Sequence, residues 1–180
     1  MKRCLRPILL VAVLGCLCVF ALPAGAAALI KTQPPCSTTT FCKSFADTGN
    51  IPVIRSFSFT APGAGTAEVT FHGSMVCNDG NTSQSNPVVV DVVSQIVTTS
   101  NAAPSATLPG GLRHAAVWEP LIVNVLFTGF TSTFNLASTR VVAISGPGTK
   151  SYYFKIGRLR MDPDTSCVVY NAAFSVVFVP

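Results

Sequence analysis

The side chains able to do chemistry are few. The histidines are His72 and His114. Nucleophilic hydrolysis needs a nucleophile, a base and an orienting acid in contact. Neither a G-x-S-x-G elbow nor an H-E-x-x-H helix is present to announce one. His72 ends an alternating segment, and His114 follows Gly110-Gly111-Leu112-Arg113. Both read as strand or loop-edge residues, and His114 is kept as a candidate ligand contact. Paired carboxylates could hydrolyse glycosides, one as acid and the other as base or nucleophile. The members available are Glu68, Glu119, Asp91, Asp79, Asp162 and Asp164. Asp162 and Asp164 bracket Pro163 in what reads more simply as a turn, and Asp79 starts a turn by bonding the backbone. Glu68 or Glu119 would matter only if it faced a second carboxylate across a cleft at about 5–10 Å. Asp79-Gly80-Asn81 and Asp162-Pro163-Asp164 are the loops that could seat calcium, and each lacks the full ligand set. Trp118, the sole tryptophan, is either a sugar-stacking platform or core packing, and is the second candidate ligand contact. Asn81-Thr82-Ser83 matches a glycosylation sequon. No catalytic residue, resident metal or cofactor is expected.

The cysteines carry a redox argument. Cys4, Cys16 and Cys18 lie near the N-terminus, while Cys36, Cys42, Cys77 and Cys167 lie beyond it. An even set of four in an exported chain suggests disulfides. Of three connectivities, Cys36–Cys42 (a short local loop) with Cys77–Cys167 (a long-range staple) is favoured. A metal site would need paired ligands at short spacing, and no C-x-x-C or partnering histidine is present.

Export is read from the first 26 residues. Lys2, Arg3 and Arg6 form a positive start, Ile8 to Leu22 is uncharged and apolar, and Ala24-Gly25-Ala26 offers small side chains for a peptidase. Cleavage is expected before Ala27. The apolar run is shorter than the ~20 residues that cross a bilayer, so no stable membrane insertion is expected afterwards. The run continues past Cys16, unlike a lipoprotein signal. Twelve basic and seven acidic residues give the whole chain +5. Removing the three basic residues of the start leaves nine against seven, net +2. With no basic cluster, nothing supports nucleic-acid binding.

The elements that must position these side chains are strands. Residues 27–50 read as an extended N-terminal arm tied by a disulfide, and 51–180 as the sandwich domain. Phe57 and Phe59 share one face of Val53–Phe59, and Ala67, Val69 and Phe71 one face of Ala67–His72; the two runs read as a hairpin or neighbouring strands. Val88–Val97 is a long β-branched strand whose Asp91 should meet solvent or a partner. Asn101–Gly111 is a loop. Leu112–Trp118, Leu121–Phe127, Thr131–Leu136, Arg140–Ile144, Tyr152–Leu159, Cys167–Tyr170 and Phe174–Val179 complete the strands. About ten strands with turns every ~8–12 residues, and no helical period, predict an all-β antiparallel β-sandwich. Long connections favour a jelly-roll arrangement.

Tyr152-Tyr153-Phe154-Lys155 and the closing strand Phe174-Ser175-Val176-Val177-Phe178 resemble the C1q and tumour-necrosis-factor jelly-roll domains over about a third of the chain. That resemblance implies a homotrimer binding partners through loops and surfaces; the collagen-like stalk is lacking. The disulfide-bonded sandwich is also similar to exported pilin-like subunits, although those end in a penultimate aromatic and this chain ends Phe178-Val179-Pro180. The expectation is a secreted or periplasmic, non-enzymatic surface, envelope or ligand-binding module, its partner a protein or carbohydrate. The alternatives are a small carbohydrate-active hydrolase or an assembling subunit.

Overall fold

The computed structural model describes residues 28–36, 42–80, 87–118 and 130–180. The described residues form nine strands: β1 (Leu29–Thr32), β2 (Lys43–Ala46), β3 (Arg55–Ala61), β4 (Gly65–Asp79), β5 (Val88–Val97), β6 (Gly111–Trp118), β7 (Phe130–Ile144), β8 (Gly148–Met161) and β9 (Thr165–Val179). They make two antiparallel sheets, one ordered β1-β9-β4-β7 with β2 also on β9, the other β3-β8-β5-β6. The chain is an antiparallel β-sandwich, as its alternation predicts.

Its pairing is nested. β1 and β2 pair β9, β3 pairs β8, β4 pairs β7 and β5 pairs β6. Arg55 faces Phe154 and Gly65 faces Ile144, so ten residues forward on one arm match ten residues back on the other, across two different sheets. The chain is thus one long antiparallel ribbon folded at the loop after β5. The ribbon is then rolled so that β9 also meets β4 and β8 also meets β5. That arrangement is a jelly roll.

Period-two burial drives it. Along β4, Ala67, Val69, Phe71, Met75 and Cys77 are fully buried while Thr66, Glu68 and His72 are exposed. Inward side chains of the two sheets meet as an aromatic seam. Phe71 stacks on Phe154 with centroids 3.5 Å apart, Phe174 sets its edge to Phe71 at 5.2 Å, and Phe59 lies between Tyr152 and Phe178 at 6.2 and 6.0 Å. Each buried ring of this kind contributes roughly 1.5–3 kcal/mol of burial.

Four local expectations change. β3 and β4 are not a hairpin: Pro62, Gly63 and Ala64 carry the chain from one sheet to the other. Alternation says which side chains are buried, not whether two runs lie side by side or face to face. Thr131–Leu136 and Arg140–Ile144 are one strand, β7, because Ser138 points inward with its hydroxyl satisfied, donating to Gly110 O at 2.5 Å. Cys167–Tyr170 and Phe174–Val179 are likewise one strand, β9. Their apparent break is a β-bulge, with Asn171 at φ 53° and the register against β4 shifting between His72 and Ser74. The N-terminal arm is extended and disulfide-tied, and it is also part of the sandwich: β1 and β2 together occupy the edge beside β9, on either side of that bulge. The N-terminal 26 residues, the Asn81 sequon and the Leu121–Phe127 run lie outside the described residues.

Candidate functional site

The four cysteines beyond the N-terminal segment pair as their spacing suggests, Cys36 with Cys42 and Cys77 with Cys167. Cys77 and Cys167 are 90 residues apart in sequence yet directly opposite each other on β4 and β9, both fully buried. Cys36–Cys42 closes the loop between β1 and β2 over the bulge in β9. Ala172 N donates to Cys36 Sγ at 3.2 Å, and Cys36 N donates to Ala172 O at 3.2 Å.

The two candidate ligand contacts point inward. His114 on β6 lies 2.8 Å from the hydroxyl of buried Ser94 through Nε2, and meets the Phe134 ring edge-on at 6.0 Å. Burial pushes its imidazole below the usual histidine range. Trp118 is buried, and its indole N–H donates to Ser132 Oγ at 2.8 Å. Both therefore make contacts that tie β6 to the facing β7.

Most charged groups hold the scaffold together. Asp91 takes a two-pronged contact from Arg113, which holds its carboxyl below the ordinary range. Asp162 takes another from Arg160 and accepts from Val89 N at 2.9 Å. Asp162–Asp164 is the expected turn, with Thr165 Oγ1 donating to Asp162 O at 2.6 Å. Arg158 and Arg160, close in sequence, diverge at a bulge in β8. Arg158 turns across the sandwich and donates to the carbonyls of Ala46, Thr48 and Gly49 at 2.6 to 3.3 Å. Arg140 donates to Ile96 O at 2.8 Å, and Arg55 to Gln33 and Pro34. Glu119 lies outside the described residues. Among the described residues no group of three or more metal-ligating side chains gathers, and no helix is long and apolar enough to cross a membrane.

Hollows open on the surface among the described residues. One of about 280 Å³ between the end of β7 and the start of β8 is lined by Lys150, Thr98, Ser145 and Tyr152; Tyr152 is 1% exposed and its hydroxyl has no hydrogen-bond partner among the described residues. A second, about 230 Å³, lies under the loop after β5 beside Gln95 and Arg140. A third, about 460 Å³, is a shallow dish at the β9 bulge lined by His72, Gly73, Ser74, Asn135 and Asn171. A Cβ at Gly73 would come within 3.2 Å of the Ala172 backbone, so the two strands approach closely there. His72 and Ser74 share this face, and Glu68 is four residues from His72 along β4, about 13 Å away.

The dish is the centre of a larger surface. Register and alternation place in rows, across the outer face of the β1/β2-β9-β4-β7 sheet, Ser44–Val168–Val76–Thr133, Tyr170–Ser74–Asn135, Ala173–His72–Ala137, Thr32–Ser175–Thr70–Thr139 and Ile30–Val177–Glu68–Val141. Ile30 is 64% exposed, Val141 62% and Val177 37%. Glu68 is the one charged residue in these rows. The outer face of the other sheet differs: it carries the Asp91–Arg113 and Asp162–Arg160 pairs and Lys155, and the loop after β5 lies on it, Pro104 against Gly157. This asymmetry follows from composition only after folding. The strands alternate throughout, but the outward polar positions of the β3-β8-β5-β6 sheet mix charged residues with Ser and Thr such as Ser58 and Ser151, while those of the other sheet are mostly Ser, Thr and Asn, with Glu68.

No family model matches the chain, and no curated protein matches it. Among solved structures it is similar to that of the infectious bursal disease virus Gt strain, at 11% identity and a TM-score of 0.28, over 85% of this chain and 32% of that one. It is also similar to a mutant VP2 protein of the same virus in T=1 particles, at 9% identity and 0.29, over 86% and 32%. The chain spans about a third of the length of these structures. Scores this low carry no argument about function or assembly, and the jelly-roll assignment rests on the strand pairing itself.

Proposed function

We propose that the chain is an exported, disulfide-stapled jelly-roll module that acts by presenting a surface to a partner rather than by catalysis. The observation that carries this reading is the nearly uncharged outer face of the β1/β2-β9-β4-β7 sheet. A solvated sheet face ordinarily carries interspersed charge, and contiguous exposed apolar area marks interaction sites. Among the described candidates, Asp91 and Asp162 are engaged in ion pairs and His114 with the Ser94 hydroxyl. Export is supported by the tripartite N-terminus and by two disulfides, which persist in oxidising compartments.

Expression of the full chain in a host with an export pathway tests this. The exported product should begin at Ala27 and carry both disulfides on non-reducing peptide mapping. An intact N-terminus on a reduced cytosolic protein overturns the export reading. Glycoside hydrolysis that vanishes in Glu68→Gln overturns the non-catalytic one.

A further inference from the structure

Two cations stand at inward strand positions of the sandwich with no carboxylate to meet them. Arg140 lies opposite buried Val69 across β7 and β4, and Lys150 opposite buried Phe59 across β8 and β3. Directly opposed residues share a face, so both side chains leave their sheets on the core side. Both are half-buried. We infer that the cleft between the end of β7 and the facing ends of β5 and β8 binds a small oxyanion, held by Lys150, Arg140 and the Tyr152 hydroxyl. This site lies between the sheets, apart from the outer sheet face proposed above to meet a partner.

The cleft comprises the two hollows of about 280 and 230 Å³, which share Thr98 as a wall. Lys150 and Tyr152 line the first beside apolar Val142 and Ile144, and Arg140 lines the second. Val97 pairs Tyr153 across β5 and β8, which sets Thr98 next to Tyr152. Arg140 crosses from the other sheet to the same end of β5, donating to Ile96 O at 2.8 Å. Ligand pockets ordinarily run from about 300 to 1,000 Å³, so hollows of this size suit an anionic head group on a short stem.

The charge of the cleft is uncompensated. No carboxylate lines either hollow. Glu68 belongs to the opposite side of its sheet, paired with outward Val141. Among the described residues Lys150 makes no hydrogen bond or ion pair, and Arg140 commits one of the five donors of a guanidinium. Half-burying two like charges without a counter-charge is unfavourable, and an anion beside them offsets that cost.

Tyr152 supplies an independent sign. Its hydroxyl is buried with no hydrogen-bond partner among the described residues, whereas buried polar groups are ordinarily bonded. Burial pushes its pKa above the usual tyrosine range, against the opposing pull of Arg140. It therefore keeps its proton at neutral pH and has that proton to donate. An oxyanion offers lone pairs and no proton, which matches an ammonium, a guanidinium and a phenol that all donate. Lys150 is tied to nothing, so its Nζ is free to follow the anion toward the hydroxyl.

Titration of the exported, oxidised protein with sodium phosphate and, separately, sodium acetate tests the inference by amide NMR, against sodium chloride at matched ionic strength. At least one oxyanion should give saturating shifts at Thr98, Lys150 and Tyr152, with a dissociation constant of about 10 mM or below, and chloride should give none that saturate. Saturation by phosphate alone identifies a phosphate-bearing ligand, by acetate alone a carboxylate, and by both a site that reads oxyanion charge in general. Lys150→Met, which keeps the stem, and Tyr152→Phe should each weaken binding about tenfold or more. Lys31→Met, exposed on β1, should leave it unchanged. Thermal melts give a second readout: without anion, Tyr152→Phe should melt no lower than wild type, because the hydroxyl it removes has no partner to lose. No saturation up to about 100 mM, saturation indifferent to both Lys150→Met and Tyr152→Phe, or a clearly lower Tm for anion-free Tyr152→Phe would overturn the proposal. Each of those results leaves the reading of the outer sheet face to be judged separately.

Discussion

Ser94 Oγ and His114 Nε2 lie 2.8 Å apart between β5 and β6, with the Ser94 side chain wholly buried and the imidazole set edge-on against Phe134 of the facing sheet. The pair shows how this fold uses its scarce titratable groups. A histidine that might have served a ligand is instead the partner a buried hydroxyl requires.

That pairing gives a pH dependence. Burial lowers the folded pKa of His114 below its unfolded value, so the folded state resists protonation there. The stabilisation is fully present above the unfolded value near 6.5 and is lost as pH falls through the folded one. Thermal melts should show a lower Tm at pH 5 than at pH 7.5. His114→Ala should cost about 1–3 kcal/mol at pH 7.5, because buried Ser94 loses its partner, and should flatten the change between the two pH values. A wild-type Tm that does not move across that range contradicts this account of His114.

The two disulfides should differ in weight. Cys77–Cys167 closes a 90-residue separation and Cys36–Cys42 a separation of 6. In the chain-entropy account, the first contributes about 4–5 kcal/mol and the second about 2 kcal/mol. Denaturant titrations of Cys77→Ser/Cys167→Ser and Cys36→Ser/Cys42→Ser should therefore rank in that order. The reverse order would mean that the long-range link is not what restrains the unfolded chain.

Gly111 opens β6 where the chain leaves the loop that lies on the outer sheet face. A Cβ there would sit 1.9 Å from Ser105 O and 2.9 Å from Leu108 O, both backbone atoms that cannot swing aside. The same loop is held by Gln95, which accepts from Ser105 N at 2.9 Å and donates to Pro109 O at 3.1 Å. Gly111→Ala should destabilise by about 3 kcal/mol, measured by urea unfolding, whereas Gly146→Ala, open on all sides, should change little.

Burial was the legible part. Val88–Val97 reads as a strand from composition and is one with those bounds. Asp91 near its middle reads as meeting solvent or a partner, and it has Arg113. The alternation of β4 shows directly which of its residues are core. Joins and breaks were harder. Asn171 and Ser138 interrupt apolar runs and look like chain breaks, because a bulge and a satisfied inward hydroxyl both resemble a turn when only neighbouring residues are compared. The outer face was invisible for a similar reason. Val177, Glu68 and Val141 are far apart in sequence, and only pairing of β9, β4 and β7 puts them in one row.

By itself the sequence determined the class of fold and the cysteine pairing worth expecting, because period-two burial and residue composition are local properties that need no partner to be read. Which strands face one another was decided only in the folded chain, and with it the inward turn of His114 and Trp118, the Arg158 reach to the Ala46–Gly49 carbonyls and the gathering of neutral residues on one sheet. These depend on contacts between residues tens of positions apart. Such contacts are fixed by the lowest free energy of the whole packed sandwich and leave no mark on any one segment.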